Sequence, residues 1–283
     1  MTRLFGVIGH PIQHSLSPAM HTAALRALRL DARYASFEVP PRFLRPILRA
    51  LMLSGVEGLN VTVPLKEAVL PLMDRLDASA AAVGAVNTIV IRNRRLVGYN
   101  TDGAGFSRAL KELGWRASPC RAIVLGAGGA ARAVAWELAR AGGELTIANR
   151  HLARAQRLAR RVAASHPRTR IRVAPLRGVR MEGADLVVNA TTVGMRASDA
   201  PPIDPAALQR GTLVYDLVYH RDTALVRAAR RRGCVAANGL SMLLYQGAES
   251  FRLWMHRPAP VETMRRALND AIRNSAFGMR SAM

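Results

Sequence analysis

The sequence predicts an α/β protein of two modest domains, and three observations predict it. Apolar runs of strand length alternate with amphipathic stretches of helix length along most of the 283 residues. A glycine-rich turn, Gly126-Ala127-Gly128-Gly129-Ala130-Ala131, follows one of the strand-like runs and opens a helix. The composition is 50% apolar and only 5% aromatic, which suits Ala/Leu/Val-rich layers, and the chain is long for a single core.

The elements follow in order. Residues 3–8 read as a strand, 18–28 as a helix, 32–39 as a strand and 42–53 as a helix. A short strand over 59–63 leads into helical stretches over 65–73 and 78–83. Residues 88–92 and 95–99 make a hairpin around Asn93-Arg94. That alternation predicts a βαβ domain with a largely parallel sheet. Helix 103–113 opens a second series: strand 122–125, the glycine turn, helix 131–141, strand 145–148 and helix 154–164. Strands 171–174, 186–189 and 213–217, helix 223–232 and strand 235–237 complete a doubly wound pattern. The tail is helical over 241–255 and 261–274.

No stretch approaches the roughly 18 apolar residues that a membrane helix needs. The apolar run at 4–9 stops at His10-Pro11, too short for a secretory leader and better read as a first strand. Cys120 and Cys234 are far apart and form no C-x-x-C pair, so a reducing cytoplasm is expected rather than a disulfide framework. The charge is strongly basic, 41 Lys and Arg against 19 Asp and Glu. Clustered arginines can neutralise nucleic-acid phosphates. Here they are spread through helical segments with little aromatic interleaving, so a solvated surface that attracts anionic ligands is expected, with no nucleic acid, membrane or metal partner.

Gly126, Ala127, Gly128, Gly129 and Ala130 fit a G-x-G-x-x-A turn, where missing side chains let backbone amides approach a pyrophosphate at a helix N-terminus. A dinucleotide is the expected cofactor, on a Rossmann-like domain. An NAD site usually carries an acid at the end of the next strand. This chain has Asn149, Arg150 and His151 there, with Arg154 just beyond. Guanidinium groups grip a 2′-phosphate that a carboxylate would repel, so the expected cofactor is NADP.

Lysine occurs only at Lys66 and Lys111; every other strong base is arginine. Lys111 lies in an amphipathic helical stretch and reads as a solvated charge. Lys66 follows Asn60-Val61-Thr62-Val63-Pro64-Leu65 and falls in the first turn of a helix, where the helix dipole disfavours a cation. A lysine held there needs a carboxylate beside it or a weakened hold on its proton, and either suits proton transfer. From the helix position alone, a side chain pointing to water is the simpler reading. Asp102, in Asn100-Thr101-Asp102-Gly103, sits at the expected domain boundary and reads equally as the N-cap of the next helix.

Taken together, the motifs resemble the shikimate dehydrogenase family. They are Ser15-Leu16-Ser17-Pro18, Asn60 to Lys66, Asn87, Asn100 to Gly103, Gly126 to Ala131, Asn149-Arg150, Asn189 to Met195, and Asn238-Gly239-Leu240 through Gln246. The resemblance covers essentially the whole chain. It implies reversible, NADPH-dependent reduction of 3-dehydroshikimate to shikimate in aromatic amino-acid biosynthesis. It also implies a substrate domain over 1–101, an NADP domain over 102–237, and C-terminal helices over 238–283 that pack back on the first domain. Lys66 and Asp102 match the catalytic pair. Ser15 and Ser17 match serines that bind the substrate carboxylate, and Thr62, Asn87, Asp102 and Gln246 match the groups around the ring hydroxyls. Tyr219 matches a tyrosine that closes on the substrate. Asn149, Arg150 and Arg154, with His151 as a further donor, match the 2′-phosphate clamp. Thr191 to Met195, Leu217 and Gly239 match the nicotinamide side.

Three positions depart from the family pattern. His151 replaces a common Thr or Ser, Thr192 a usual Ser or Pro, and His220-Arg221 follow Tyr219 where proline is common one residue later. The nearest alternative reading is a quinate/shikimate dehydrogenase with relaxed cofactor or substrate choice. The oligomeric expectation is a monomer or homodimer.

Overall fold

A computed structural model describes residues 2–115 and 119–280. The chain divides into two compact units, one of Met1–Gly105 with Leu243–Met283, the other of Phe106–Met242.

The first unit carries β1 (Arg3–Gly9), α1 (Ser17–Ala27), β2 (Ala32–Glu38), α2 (Leu44–Leu53), β3 (Val56–Val61) and α3 (Leu65–Ala68). β4 (Arg75–Leu76), α4 (Ala78–Val83), β5 (Thr88–Arg92) and β6 (Arg95–Tyr99) follow, and α5 (Asp102–Glu112) then leads the chain onward. The strands form one sheet in the order β2-β1-β3-β5-β6-β4. β1 pairs parallel with β2 and β3, whereas β5 is antiparallel to both β3 and β6. The expected largely parallel sheet holds for β2-β1-β3 and for β4 beside β6, and is interrupted by the antiparallel pairs of β5. The cause is the hairpin: Asn93 and Arg94 take φ of 49° and 58°, a two-residue left-handed turn that reverses the chain tightly. The helix expected over 65–73 also breaks early, because Pro71 has no amide to continue it; a 3-10 turn, Leu70–Leu72, replaces it.

Ile8, Leu44, Leu48, Leu59, Val61, Leu65 and Ile89 belong to one buried core. The C-terminal segment completes this unit. α9 (Leu240–Met255) runs into it, and α10 (Val261–Arg280) packs on α1. Gly58 shows how close the approach is: a Cβ there would lie 2.3 Å from Trp254 Nε1. That indole nitrogen donates to Ile89 O at 3.0 Å.

The second unit is built from β7 (Cys120–Leu125), α6 (Gly129–Ala141), β8 (Gly143–Asn149), α7 (Leu152–Ser165) and β9 (Thr169–Pro175). β10 (Leu186–Asn189), β11 (Leu213–Asp216), α8 (Ala224–Arg231) and β12 (Val235–Asn238) complete it. The sheet order is β12-β11-β10-β7-β8-β9, parallel throughout. This is the doubly wound Rossmann arrangement, and the strand order reverses between β7 and β10. Among the described residues no helix is long and apolar enough to cross a membrane.

Candidate active site

Topology gathers the first unit's candidate residues at one sheet edge. Ile8 is level with Val61 across the parallel β1/β3 pair, so the Ser15 segment and Thr62 both leave the carboxyl edge. Asn60 faces Thr88 and Thr88 faces Tyr99 across antiparallel pairs. Asn87, just before β5, and Asn100 to Asp102, just after β6, therefore reach the same edge.

Leu65, fully buried, anchors the one-turn helix α3 and fixes where Lys66 begins. Lys66 Nζ donates to Asp102 Oδ2 at 2.5 Å, with the side chains 13% and 4% exposed. The carboxylate that the position required is present. A single turn carries little macrodipole, so burial and the ion pair dominate the electrostatics. The cap expected of Asp102 is supplied instead by Asn100, whose Oδ1 accepts the Asp102 amide at 3.1 Å. Both Asp102 oxygens are thereby left for the site: Oδ1 accepts from Asn87 Nδ2 at 2.8 Å.

Asn87 has one possible orientation. Its Oδ1 accepts the Thr101 backbone N–H at 2.7 Å, which turns Nδ2 toward Asp102 and toward Gln246 Oε1 at 3.1 Å. Gln246 in turn donates through Nε2 to Leu243 O at 2.8 Å. Behind them lies a buried polar ladder that sequence reasoning missed. Asn60 Nδ2 donates to Ser250 Oγ at 2.9 Å, Thr88 Oγ1 lies 2.7 Å from Ser250 Oγ, and Tyr34 Oη donates to Asn60 Oδ1 at 2.7 Å. The available signal was Ser250 one helical turn beyond Gln246, a polar residue inside an apolar stripe.

Ser17 opens α1 and is buried; Ser15 is half-buried, and the Ser17 amide lies 3.4 Å from Ser15 Oγ. Thr62 is half-buried, and its amide donates to Ile8 O at 2.9 Å. Hydroxyls on these residues are neutral donors suited to a carboxylate or a polyol.

The second unit presents its candidates at the carboxyl ends of its strands. Gly126 follows β7, Asn149 ends β8, Asn189 ends β10, Asp216 ends β11 and Gly239 follows β12. Gly126 has φ +113°, and a Cβ on it would meet Ala190 O at 2.8 Å. Gly128 precedes α6, with no side chain capping the first turn, and a Cβ on it would meet nothing within 4 Å. Uncapped amides with open space in front fit a pyrophosphate. Ala127 is buried under the turn, while Gly129 and Ala130 begin the helix.

Arg150, His151 and Arg154 are exposed around the start of α7. Asn149 Nδ2 and the Arg154 amide both donate to His151 O, at 2.9 and 3.0 Å, and tie that turn together. No acid lies at the end of β8, and the guanidinium groups of Arg150 and Arg154 are exposed beside it. Asn189 Oδ1 accepts from Thr191 N–H and Oγ1, at 3.1 and 2.7 Å, and shapes the turn that carries Met195. Met195 is 43% exposed, and Leu217 is half-buried. A Cβ on Gly239 would lie 2.3 Å from Leu217 O. Tyr219 stands edge-on to His220 with ring centroids 5.9 Å apart, and His220 Nε2 lies 3.0 Å from Met195 O.

Comparison with known proteins converges on one family. Residues 7–89 match the shikimate dehydrogenase substrate binding domain, 107–223 the shikimate/quinate 5-dehydrogenase family, and 239–268 the shikimate 5′-dehydrogenase C-terminal domain. The chain is 48% identical to the shikimate dehydrogenase (NADP(+)) of Moorella thermoacetica, over 98% of this chain and 96% of that one. A shikimate dehydrogenase crystallised with NADP+ superposes with TM-score 0.90 at 36% identity, covering 96% of each chain. The Thermus thermophilus enzyme, crystallised with NADP(H) and shikimate, superposes with TM-score 0.85 at 39% identity, covering 95% of this chain and 99% of that one. The chain belongs to the shikimate dehydrogenase family.

Proposed function

We propose that this chain is an NADP-dependent shikimate dehydrogenase that reversibly reduces 3-dehydroshikimate to shikimate in aromatic amino-acid biosynthesis. The observation that carries this reading is the Lys66–Asp102 pair, 2.5 Å apart and held by Asn87 among buried polar groups. When bound, NADPH supplies the hydride that turns a ketone into an alcohol.

The chain's own residues supply the rest. Negative charge develops on the ketone oxygen as it is reduced, and the Lys66 ammonium stabilises it and delivers a proton to it. Asp102 holds Lys66 in place through Oδ2 and, with Asn87, Thr62 and Gln246, receives the ring hydroxyls. Ser15 and Ser17 bind the carboxylate through neutral donors, which avoids a guanidinium that would grip unrelated anions. The resemblance assigns Tyr219 to the substrate as well. Gly126, Ala127, Gly128, Gly129 and Ala130 receive the pyrophosphate, and Asn149, Arg150, His151 and Arg154 the 2′-phosphate. Thr191, Met195, Leu217 and Gly239 flank the nicotinamide. A reducing cytoplasm suits the two free thiols, Cys120 and Cys234.

The test is a rate comparison with shikimate and quinate, each with NADP and NAD. Shikimate with NADP is expected to be the fastest pair. No shikimate oxidation with either cofactor would overturn the reading.

A further inference from the structure

Asp216 ends β11 with no exposed surface, and among the described residues no ion pair reaches it. Its partners are all donors: Thr223 Oγ1 at 2.7 Å, Asn189 Nδ2 at 2.9 Å and the Val218 N–H at 3.1 Å. Burial raises its proton affinity above that of an ordinary carboxylate, while the Thr223 and Asn189 hydrogen bonds oppose the rise. A buried charge without a counter-ion is costly, so what it holds is informative.

Each partner leads to a different segment. Asn189 also donates to Val193 O at 3.0 Å and accepts from Thr191, so it shapes the turn that ends at Met195. Val218 accepts the Gly239 amide at 3.0 Å. Thr223 caps α8 through the Val226 N–H at 3.2 Å, and its Cγ2 lies 2.8 Å from where a Cβ on Gly194 would stand. One carboxylate thus ties together the Asn189 turn, its own strand end at Val218 and the start of α8. The chemistry suits the residue type: two N–H donors converge on Oδ1, and Oδ2 accepts the Thr223 hydroxyl, which would lose that acceptor if an amide NH2 stood there.

We propose that Asp216 is a positioning residue for the nicotinamide half of the cofactor, fixing the mutual geometry of Thr191–Met195, Leu217 and Gly239. This rests on the reading that those residues flank the nicotinamide. Asp216 itself touches no ligand; it acts through Asn189, Val218 and Thr223.

The test uses the full chain carrying Asp216→Asn and follows equilibrium binding of two probes. NADP contains the nicotinamide; adenosine 2′,5′-bisphosphate keeps the 2′-phosphate and lacks it. NADP affinity is expected to fall roughly tenfold, as for loss of a hydrogen bond to a charged group, while fragment affinity stays within about twofold. The deuterium isotope effect on kcat with C4-deuterated NADPH should rise as the hydride step becomes slower. Thr223→Val removes one donor and keeps the shape, so it gives the same pattern at smaller amplitude even if Asp216→Asn does not fold. Glu144→Gln, at an exposed pair with Arg170, leaves both affinities at parent values.

Equal losses for NADP and the fragment would mean that the whole unit had loosened and would overturn the proposal. So would parent-like NADP affinity and isotope effect in both variants. A parent chain that binds neither probe would instead sink the cofactor reading beneath it.

Discussion

The two units solve the problem of recognition in opposite ways. The first builds its site from buried side chains that are hydrogen-bonded to one another: Asp102 is 3% exposed, Asn87 1%, Gln246 8% and Ser250 0%. The second offers bare backbone at Gly126 and Gly128 and exposed guanidinium groups at Arg150 and Arg154. A buried polar group must be satisfied in the folded protein, so the first site is rigid before any substrate arrives. Exposed guanidinium groups lie at the surface, so the second meets its ligand there rather than inside a buried network formed beforehand. Losses in the first should appear in turnover, and losses in the second in cofactor affinity.

The largest effect should come from the proposed catalytic pair, Lys66 and Asp102. Lys66→Ala is expected to lower kcat by about 10²–10⁴-fold while KM for shikimate changes little, because the lost interaction is strongest at the transition state. Near-normal turnover in that variant would remove its proton-transfer role. Next come the clamp arginines. Arg150→Ala and Arg154→Ala should each weaken NADP by roughly tenfold and leave NAD unchanged, since only NADP has the 2′-phosphate. Parallel loss for both cofactors would show that the arginines act on the unit rather than on the phosphate.

The glycines sharpen the contrast further. Gly128→Ala adds a methyl that meets no protein atom within 4 Å, so the melting temperature should hold while NADP affinity falls several-fold. Gly126→Ala should lose about 1 kcal/mol or more of stability as well, because φ +113° is strained for any L side chain and Ala190 O is in the way. A Gly128→Ala protein that binds NADP normally would argue against a pyrophosphate at this turn.

The last comparison concerns stability against pH rather than ligand recognition. His21 is fully buried against Tyr34, with ring centroids 4.4 Å apart, and desolvation pulls its pKa down to about 3 against the partly opposing Asn60 amide. The folded state therefore keeps it neutral, while the unfolded chain protonates near ~6.5. Its contribution is complete above that value and declines as pH falls toward about 3, by at most ~1.4 kcal/mol per unit. Urea melts of the parent and of His21→Phe between pH 7 and 4.5 check this. An equally steep acid slope in both proteins would assign the acid sensitivity elsewhere.

Much of this was legible in the sequence, for reasons specific to each region. The second unit was read well because doubly wound folds impose strong local rules: a buried strand, a glycine turn, a helix, and a telling residue at the next strand end. The first was read less completely. The parallel pairing holds on the β2 side and at the β4 edge, but Asn93-Arg94 announced a hairpin without saying that its strands would insert between β3 and β4. Lys66 and Asp102 were each ambiguous alone, since 36 residues separate them and only the shared sheet edge brings them together. The Asn60, Thr88 and Ser250 ladder escaped because Ser250 lies 190 residues from Asn60, and no local pattern encodes such a pairing. Asp216 escaped for the reverse reason: it falls inside the strand read over 213–217, where one acid carries no local signal of what it binds.

Trp254, seated against Gly58, has a consequence for the order in which the protein is made. The dinucleotide-binding unit is one continuous stretch and is complete once Met242 has been synthesised. The first unit begins earlier but finishes later. Until the segment with Gln246, Ser250 and Trp254 emerges, Asn87 lacks one acceptor, Asn60 lacks the Ser250 hydroxyl and the sheet lacks its tryptophan. The unit whose first strands are made earlier is thus the later to mature, and the proposed site around Lys66 and Asp102 gains its last partners only once residues 246–254 have been made.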